Sequence, residues 1–255
     1  MATVLLNELL DFAVDAAWQA GRITLRHFQA GVAVEEKADE SPVTVADRGA
    51  EEKLRELIKA RFPDDAILGE EHGEEDGTSG RRWIVDPIDG TKSFVHGVPL
   101  YGVMVGLEID DSPSVGVVNF PALGEMVCAA KGLGCTWNGR TAKVSDVSDL
   151  SEATVLCTDP EKWYGKEAGS KRLREQAKLV RGWGDCYGHV LVATGRAEVM
   201  MDPIMNVWDS AALAPILEEA GGTFTDWKGN ATIWGDEAVA TNGVLFEQVM
   251  EKLGG

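Results

Sequence analysis

Two aspartates behind a short apolar run are the residues of this sequence best suited to bind a cation. Asp86 and Asp89 follow the apolar residues 83–85, and Pro87 stands between them. Because the proline ring biases the preceding residue away from helical geometry, the sequence predicts a strand that ends in a turn at Asp86. Two carboxylates that leave a strand together can converge on Mg²⁺, which takes oxygen ligands in proteins. The alternative is an ordinary Asp-Pro turn with solvated carboxylates.

Acidic side chains at three other places can join this pair or serve structure alone. Glu70 and Glu71 end a predicted strand at 66–69, where adjacent glutamates are usually solvated surface. Asp47 stands near the third position of a predicted helix, as in a capping box, and Asp209 suits the N-cap of a helix beginning at residue 210. The residues alone leave the structural and the chemical interpretations open.

A phosphate-binding feature directly follows the two aspartates. Gly90-Thr91-Lys92 predicts the first turn of a helix, and the backbone N–H groups of a first turn have no partner within the helix. Such groups bind phosphate. Cations at the carboxylates and amides at the helix start would hold two sides of one phosphoryl group. Residues 83–94 therefore predict one wall of a site for a phosphate ester.

The elements that must position these side chains fall into two patterns. The first half predicts two helices, an exposed loop between them, and then an antiparallel meander of strands. From residue 154 onward, strands alternate with helices. The predicted helices lie at 5–28, 44–62, 166–178, 187–193, 210–220 and 244–253, the loop at 35–42, the meander at 101–141, and the later strands at 154–157, 197–201, 223–226 and 238–240. The mixture predicts one unit over 1–255, with a soft division near 145–153.

Composition and charge narrow the class of partner. The 255 residues are 44% hydrophobic, which predicts a packed globular protein, and the net charge is −18. So negative a chain disfavours nucleic acid or an anionic membrane as partner, and an anionic substrate would need bound cations to draw it in. The amino terminus lacks the pattern of a signal peptide, and no run is long enough to span a membrane. Four scattered cysteines predict reduced thiols in the cytoplasm.

Three motifs together resemble the inositol monophosphatase superfamily. They are Gly-Glu-Glu at 69–71, Trp-Ile-Val-Asp-Pro-Ile-Asp-Gly-Thr at 83–91 and Trp-Asp-Ser-Ala-Ala at 208–212. The resemblance extends from the loop around Lys37 to the glycines at 221–222. It implies an α/β fold, a layered αβαβα sandwich of the inositol monophosphatase and fructose-1,6-bisphosphatase type, and a homodimer.

The resemblance also implies a role for each residue of the motifs. Two or three Mg²⁺ ions are expected to bind the carboxylates of Glu70, Asp86, Asp89 and Asp209 and the backbone carbonyl of Ile88. Gly90 and Thr91 would hold the phosphate through backbone amides. Asp47, Thr91 and Glu70 would be catalytic, with the Thr91 hydroxyl hydrogen-bonded to Asp47, which then accepts a proton from the attacking water. Lys37 would lie in a mobile loop over the metals, and Glu71 beside the ligands.

The activity implied is hydrolysis of a phosphomonoester by in-line attack of a water activated by Mg²⁺. Residues 183–189 and 201–208 resemble the histidinol-phosphate phosphatase branch of the superfamily, in histidine biosynthesis. Asp185, Asp202 and Asn206 are the expected substrate contacts. Histidinol phosphate carries an ammonium group and an imidazole, so an acidic pocket would suit it.

Other interpretations stay open at the level of sequence. Asp202-Pro203 fits a simple turn, Asp185 fits a helix cap, and His189 fits a hydrogen-bonded core histidine better than a ligand. An inositol-1-phosphatase or a broad-specificity sugar or polyol phosphatase is the alternative enzyme, because carboxylates also accept hydrogen bonds from hydroxyls. A non-catalytic acidic metal-binding protein is the alternative of another class. It predicts that at least one motif residue has been lost, and none has.

Overall fold

The computed structural model describes residues 5–36 and 42–254. Its helices are α1 (Leu6–His27), α2 (Val45–Arg61), α3 (Thr91–Val95), α4 (Glu167–Gln176), α5 (Asp185–Ala193), α6 (Val207–Ser210), α7 (Leu213–Glu219) and α8 (Phe246–Gly254). Its strands are β1 (Val34–Glu36), β2 (Pro42–Thr44), β3 (Ala66–Gly69), β4 (Gly73–Glu75), β5 (Arg81–Asp89), β6 (Gly102–Ile109), β7 (Ser112–Phe120), β8 (Glu125–Ala130), β9 (Gly134–Trp137), β10 (Arg140–Thr141), β11 (Thr154–Cys157), β12 (Leu179–Arg181), β13 (Val199–Asp202), β14 (Thr223–Thr225) and β15 (Ala238–Thr241). None of these described helices has the length and apolar character that a membrane span needs.

A large sheet and a small sheet form the two β layers. The large sheet has the order β10-β9-β8-β7-β6-β5-β3-β4, in which β6 to β10 form the predicted antiparallel meander. Strand β5 pairs antiparallel with β6 and in parallel with β3. Side chains alternate across it as a strand requires. Trp83 and Val85 face the α1–α2 side, whereas Ile84 faces the α5–α7 side.

The small sheet, of order β12-β11-β13-β15-β14, covers the other side of α5 and α7. The core between the sheets joins Met104 of β6, Val190 of α5, Leu217 of α7 and Met200 of β13. Beyond the small sheet, α4 and α8 pack on its outer face. The layers are therefore helices, sheet, helices, sheet, helices, and the αβαβα sandwich is confirmed. Because α5 and α7 pack against strands of the first half, we propose that the chain acts as one unit.

The strand that carries the two aspartates runs further than predicted. The predicted turn does end it, but only at Gly90, because β5 continues through both aspartates to Asp89. Its pairing with β6 shifts register between Asp86 and Asp89. Pro87, which has no N–H to donate, lies within this irregular segment. The bulge rather than a turn brings both aspartates to the same end of the sheet.

The helix predicted at 210–220 is also corrected. It is two short helices, α6 and α7, and the N-cap of α6 is Asn206, so the prediction of Asp209 as an N-cap is wrong. Residues 35, 36 and 42, predicted within a loop, lie in the paired strands β1 and β2. The short strands β4 and β12 were not predicted, since three residues give too little periodicity to recognise.

Candidate active site

Three carboxylates from two distant segments meet at the end of β5. One oxygen from each of Asp86, Asp89 and Asp209 lies within 4.8 Å of the other two. The β5 bulge supplies the first two, and the first turn of α6 supplies Asp209. Hard divalent cations take such all-oxygen sets, so the donor chemistry fits Mg²⁺.

The electrostatics of this cluster favour a bound cation. Burial and the negative charges of Glu70, Asp89 and Asp209 raise the pKa of Asp86 well above its usual range. Burial, with Asp185 and Asp209, does the same to the pKa of Asp89, and burial raises the pKa of Asp209 to about 6. Crowded carboxylates disfavour one another's charged forms, and a bound divalent cation would remove that cost.

Backbone N–H groups, two of them at the starts of helices, hold each carboxylate in place. The Ile88 amide donates to Asp86 Oδ1 at 2.9 Å, and the Cys186 amide, at the start of α5, donates to Asp89 Oδ2 at 2.6 Å. The Asn206 amide donates to Asp209 Oδ2 at 2.7 Å. These bonds orient the oxygens before any ligand arrives.

Glu70 stands directly after β3, which pairs in parallel with β5. Its amide lies 3.4 Å from the Val85 carbonyl, so the residue stays at the edge of the site. After burial, the charge of Glu70 is the largest influence on the pKa of Asp86. The structure thus places Glu70 beside the cluster, as the sequence predicts.

Asp47 reaches the site from the first turn of α2, where it is fully buried. Its Oδ2 accepts hydrogen bonds from the Thr44 amide at 2.8 Å and the Thr44 hydroxyl at 2.6 Å, so the predicted capping box is confirmed. Its Oδ1 lies 3.5 Å from the Thr91 hydroxyl. That hydroxyl is closer to the Ile88 carbonyl, at 2.9 Å, and has only one hydrogen to give. Asp47 therefore caps the helix and also borders the site.

Gly90 makes the turn between β5 and α3. Its φ of +80° lies in the left-handed region that favours glycine. A Cβ at this position would lie 3.0 Å from Asp185 Oδ2 and 3.3 Å from the Leu100 carbonyl. Glycine is thus required both for the turn and for space, and it starts α3 beside the carboxylates, where the sequence predicts a phosphate seat.

A second wall faces this cluster from the other half of the chain. The Thr158 hydroxyl, just after β11, donates to Asp202 Oδ1 at 2.5 Å and accepts from the Asp185 amide at 2.9 Å. Burial, with the charges of Asp202 and Asp209, raises the pKa of Asp185 to about 7, and Lys92 acts in the opposite direction. Asp185 also has a positive φ of +52°, a strained backbone state for a side chain other than glycine or asparagine.

His189 is the residue whose role the sequence did not show. It lies in α5 with 1% of its surface exposed, and its Nε2 lies 3.1 Å from Asp202 Oδ2. The prediction of a satisfied core histidine is confirmed at Nε2 but not at Nδ1, which is buried without a hydrogen-bond partner among the described residues. The partner of Nε2 was hidden because a helical position and a strand end 13 residues later show no common pattern.

A cavity of about 230 Å³ joins the two walls. Its lining includes Asp89 and Asp209 on one side and Asp185, Asp202 and His189 on the other. The further lining residues are Lys92, Thr158, Asp159, Lys162, Tyr164, Cys186, Pro203, Ile204, Met205 and Leu213. The predicted substrate residues Asp185 and Asp202 thus face predicted metal ligands across one space.

The predicted substrate contact Asn206 does not line that space. It is exposed, and its side-chain amide lies 3.3 Å from Asp209 Oδ2, so it supports Asp209 from the N-cap position of α6. Lys37 lies outside the described residues.

Comparisons with known proteins agree with this geometry. Residues 5–254 match the profile of the inositol monophosphatase family. The chain is 48% identical over 249 residues to a histidinol-phosphatase of Chlorobaculum parvum, covering 96% of each chain, and 38% identical to a histidinol-phosphatase of Mycobacterium tuberculosis, covering 96% of this chain and 97% of that one. The solved inositol monophosphatase from Anabaena has a TM-score of 0.84 and 30% identity, covering 98% of this chain and 96% of that one. The chain belongs to the inositol monophosphatase family.

Proposed function

We propose that this protein is a Mg²⁺-dependent phosphomonoesterase that hydrolyses L-histidinol phosphate to L-histidinol and phosphate. The observation that carries the proposal is the pair of facing walls in one cavity. One wall has the carboxylates that suit a cation, and the other has Asp185 and Asp202, which suit a cationic leaving group. Similarity to histidinol-phosphatases over nearly the whole chain supports the same substrate.

Glu70, Asp86, Asp89, Asp209 and the Ile88 carbonyl would hold two or three Mg²⁺ ions. When bound, Mg²⁺ supplies Lewis acidity, which lowers the pKa of water and neutralises charge on the phosphoryl group. Gly90 and Thr91 would orient the phosphate through their backbone amides. The residues of this wall need no covalent nucleophile, since water is the attacking group.

Asp47 and Thr91 would handle the proton of that water. In the structure the Thr91 hydroxyl is bonded to Ile88 O and lies 3.5 Å from Asp47 Oδ1. A small rotation would direct the Thr91 hydrogen to Asp47 Oδ1 while Oγ1 accepts a hydrogen bond from the attacking water. The water proton would then pass to Thr91 Oγ1 as the Thr91 proton passes to Asp47. Catalytic hydrogen bonds that are long without substrate commonly tighten in the complex.

The leaving group would be recognised by Asp202 and Asp185. Each Asp202 oxygen already has one donor, from Thr158 or His189, and each keeps capacity for a second. The ammonium group of histidinol phosphate can supply that donor as a charge-assisted hydrogen bond. We expect the substrate ammonium, rather than its phosphate, to distinguish it from other esters.

The setting proposed is a cytoplasmic homodimer in histidine biosynthesis. All four cysteines, at 128, 135, 157 and 186, are free thiols, which supports a reducing compartment. The family resemblance supports the dimer.

A phosphate-release assay with L-histidinol phosphate, with and without Mg²⁺, tests the proposal. We expect turnover with Mg²⁺ and none after chelation. No turnover of any phosphomonoester with Mg²⁺ present would refute the enzyme. Turnover of inositol 1-phosphate with equal or greater kcat/KM would favour the alternative, an inositol phosphatase.

A further inference from the structure

Glu51 is a buried carboxylate close to the candidate metal site, and the proposed function gives it no role. It lies on α2, four residues after Asp47, and none of its surface is exposed. Residues four apart on a helix share one face. A carboxylate is seldom buried so fully unless it is bound by several donors, because the loss of its hydration is costly.

The donors are the backbone that follows Glu70. Glu51 Oε2 accepts from the Glu71 amide at 2.7 Å, and Oε1 accepts from the His72 amide at 3.1 Å. Arg55, one turn further along α2, donates its Nε to Glu51 Oε1 at 2.8 Å. Glu51 thus binds the two peptide units directly after the expected metal ligand.

The surrounding chain is built to admit this carboxylate. A Cβ at Gly69 would lie 2.2 Å from Glu51 Oε1, so only glycine leaves room for it. Arg55 also donates a hydrogen bond to the Gly73 carbonyl. Hydrogen bonds with Glu51 and Arg55 therefore hold the turn at residues 69–73 against α2.

The sheet alone would hold Glu70 more weakly. Its amide is 3.4 Å from the Val85 carbonyl, a long contact compared with the 2.7 Å bond from Glu71 to Glu51. Strand β3 ends at Gly69, so Glu70 lies beyond the ladder. The bonds that Glu51 makes to the next two peptides therefore help to fix the backbone at Glu70.

We propose that Glu51 is a positioning residue for the metal site, an inference that rests on the proposed function in taking Glu70 as a Mg²⁺ ligand. By fixing the peptides at 71 and 72, Glu51 holds the Glu70 carboxylate toward Asp86. The same helix face carries Asp47, so α2 sets both the metal ligand and the proton acceptor from one rigid element. Groups that orient metal ligands affect affinity strongly, since a misplaced ligand loses its bond to the metal.

The test is calorimetric titration of Mg²⁺ alone into wild type and Glu51→Gln, without substrate. The amide of glutamine would place a donor where carboxylate oxygens now accept, so we expect the Mg²⁺ dissociation constant to rise roughly 10- to 100-fold. The Mg²⁺ concentration for half-maximal activity should rise in parallel, whereas KM for histidinol phosphate at saturating Mg²⁺ should change less than about twofold.

Asp65→Asn is the matched control. Asp65 is a buried carboxylate at the opposite end of β3, where it accepts from Arg81 and from Trp83 Nε1 at 2.9 Å. The control should lose thermal stability as Glu51→Gln does, but bind Mg²⁺ as wild type does. This pair separates positioning from general loss of stability.

Gly69→Ala gives a second variant that retains Glu51 and crowds it, and it is decisive if Glu51→Gln does not fold. We expect weaker Mg²⁺ binding here too. Wild-type Mg²⁺ affinity in a folded Glu51→Gln or Gly69→Ala protein would overturn the proposal, as would a wild type that binds no Mg²⁺. Weakened Mg²⁺ binding in a protein with no phosphatase activity would support Glu51 while refuting the proposed function.

Discussion

The two walls of the cavity differ in how their carboxylates are stabilised. Asp86, Asp89 and Asp209 crowd together, and burial raises the pKa of each, with added repulsion from neighbouring carboxylates at Asp86 and Asp89. Asp202, on the opposite wall, has a side-chain donor on each oxygen, from Thr158 and from His189. The crowded carboxylates of the first wall suit a bound cation, whereas each Asp202 oxygen already has a donor from the protein. In the proposed function, the reaction depends on the first wall and the choice of substrate on the second.

The walls also differ in their origin along the chain. The first is dominated by one continuous stretch, β5 with its bulge and the start of α3, joined by Asp209 and Glu70. The second is assembled from the ends of β11 and β13 and the first turns of α5. Asp185 lies between them, because its pKa responds to Asp202 on one side and Asp209 on the other. Because the two walls come from different segments, changes on one wall should leave the other wall's task largely intact, except at Asp185.

Asp86→Asn should have the largest effect. It removes the most buried carboxylate of the cluster, so we expect kcat to fall roughly 1000-fold with every ester, as loss of about 4 kcal/mol of charge stabilisation implies. Phosphate release and circular dichroism measure activity and fold. A folded variant that keeps substantial turnover would show that Asp86 is not essential to the first wall.

The Asp185→Asn variant should become more stable relative to wild type as pH rises. In wild type, burial raises the folded-state pKa of Asp185 to about 7 from its usual 3.8, so its ionisation costs stability progressively from about pH 4 to pH 7. Without Mg²⁺, we expect the variant's free energy of unfolding to increase relative to wild type across that window, by an amount on the order of 2–4 kcal/mol.

Asparagine also tolerates the left-handed backbone better than aspartate does in general, and that part of the gain should be the same at every pH. Denaturant unfolding at several pH values separates the two contributions. A difference between variant and wild type that is flat from pH 4 to pH 7 would contradict the electrostatic connection between the walls.

His189→Leu should have a smaller effect, confined to the second wall. It deletes the donor to Asp202 Oδ2, and hydrogen bonds to charged groups contribute roughly 1.5–3 kcal/mol. We expect KM for histidinol phosphate to rise about tenfold with kcat nearly unchanged. His189→Gln, which keeps an N–H donor, should recover part of the loss. Equal losses for inositol 1-phosphate would place His189 in general packing instead.

The sequence predicts the first wall better than the second, for physical reasons. Local chemistry identifies Asp86, Asp89, Gly90 and Thr91, because strand, turn and helix start are adjacent in the chain. The β5 bulge could not be foreseen, since it depends on pairing with β6. The break between α6 and α7 at residues 211–212 could not be predicted either, because the apolar pattern continues through it.

Long-range contacts account for the rest. Thr158 and His189 bind Asp202 only because β11 and β13 pair in parallel and α5 packs across them. Glu51 is of a residue type usually found at the solvated surface, yet it lies on the buried face of α2 with Leu54 and Ile58, and the turn after β3 donates to it. Residue type and spacing thus predict the chemistry, whereas the partners that tune it follow from tertiary packing.

One measurement tests the division of labour most directly, the ratio of kcat/KM for L-histidinol phosphate to that for inositol 1-phosphate, in wild type and in Asp202→Asn. Asparagine retains the size of the side chain and removes its charge. Its NH2 group would face Thr158 or His189, but the largest loss should be the charge-assisted bond to a cationic leaving group. We predict that wild type prefers histidinol phosphate and that the variant's ratio falls roughly 10- to 100-fold, equivalent to about 1.4–2.7 kcal/mol, while inositol 1-phosphate turnover persists. A wild type without that preference, or a variant that loses both activities equally, would contradict the account.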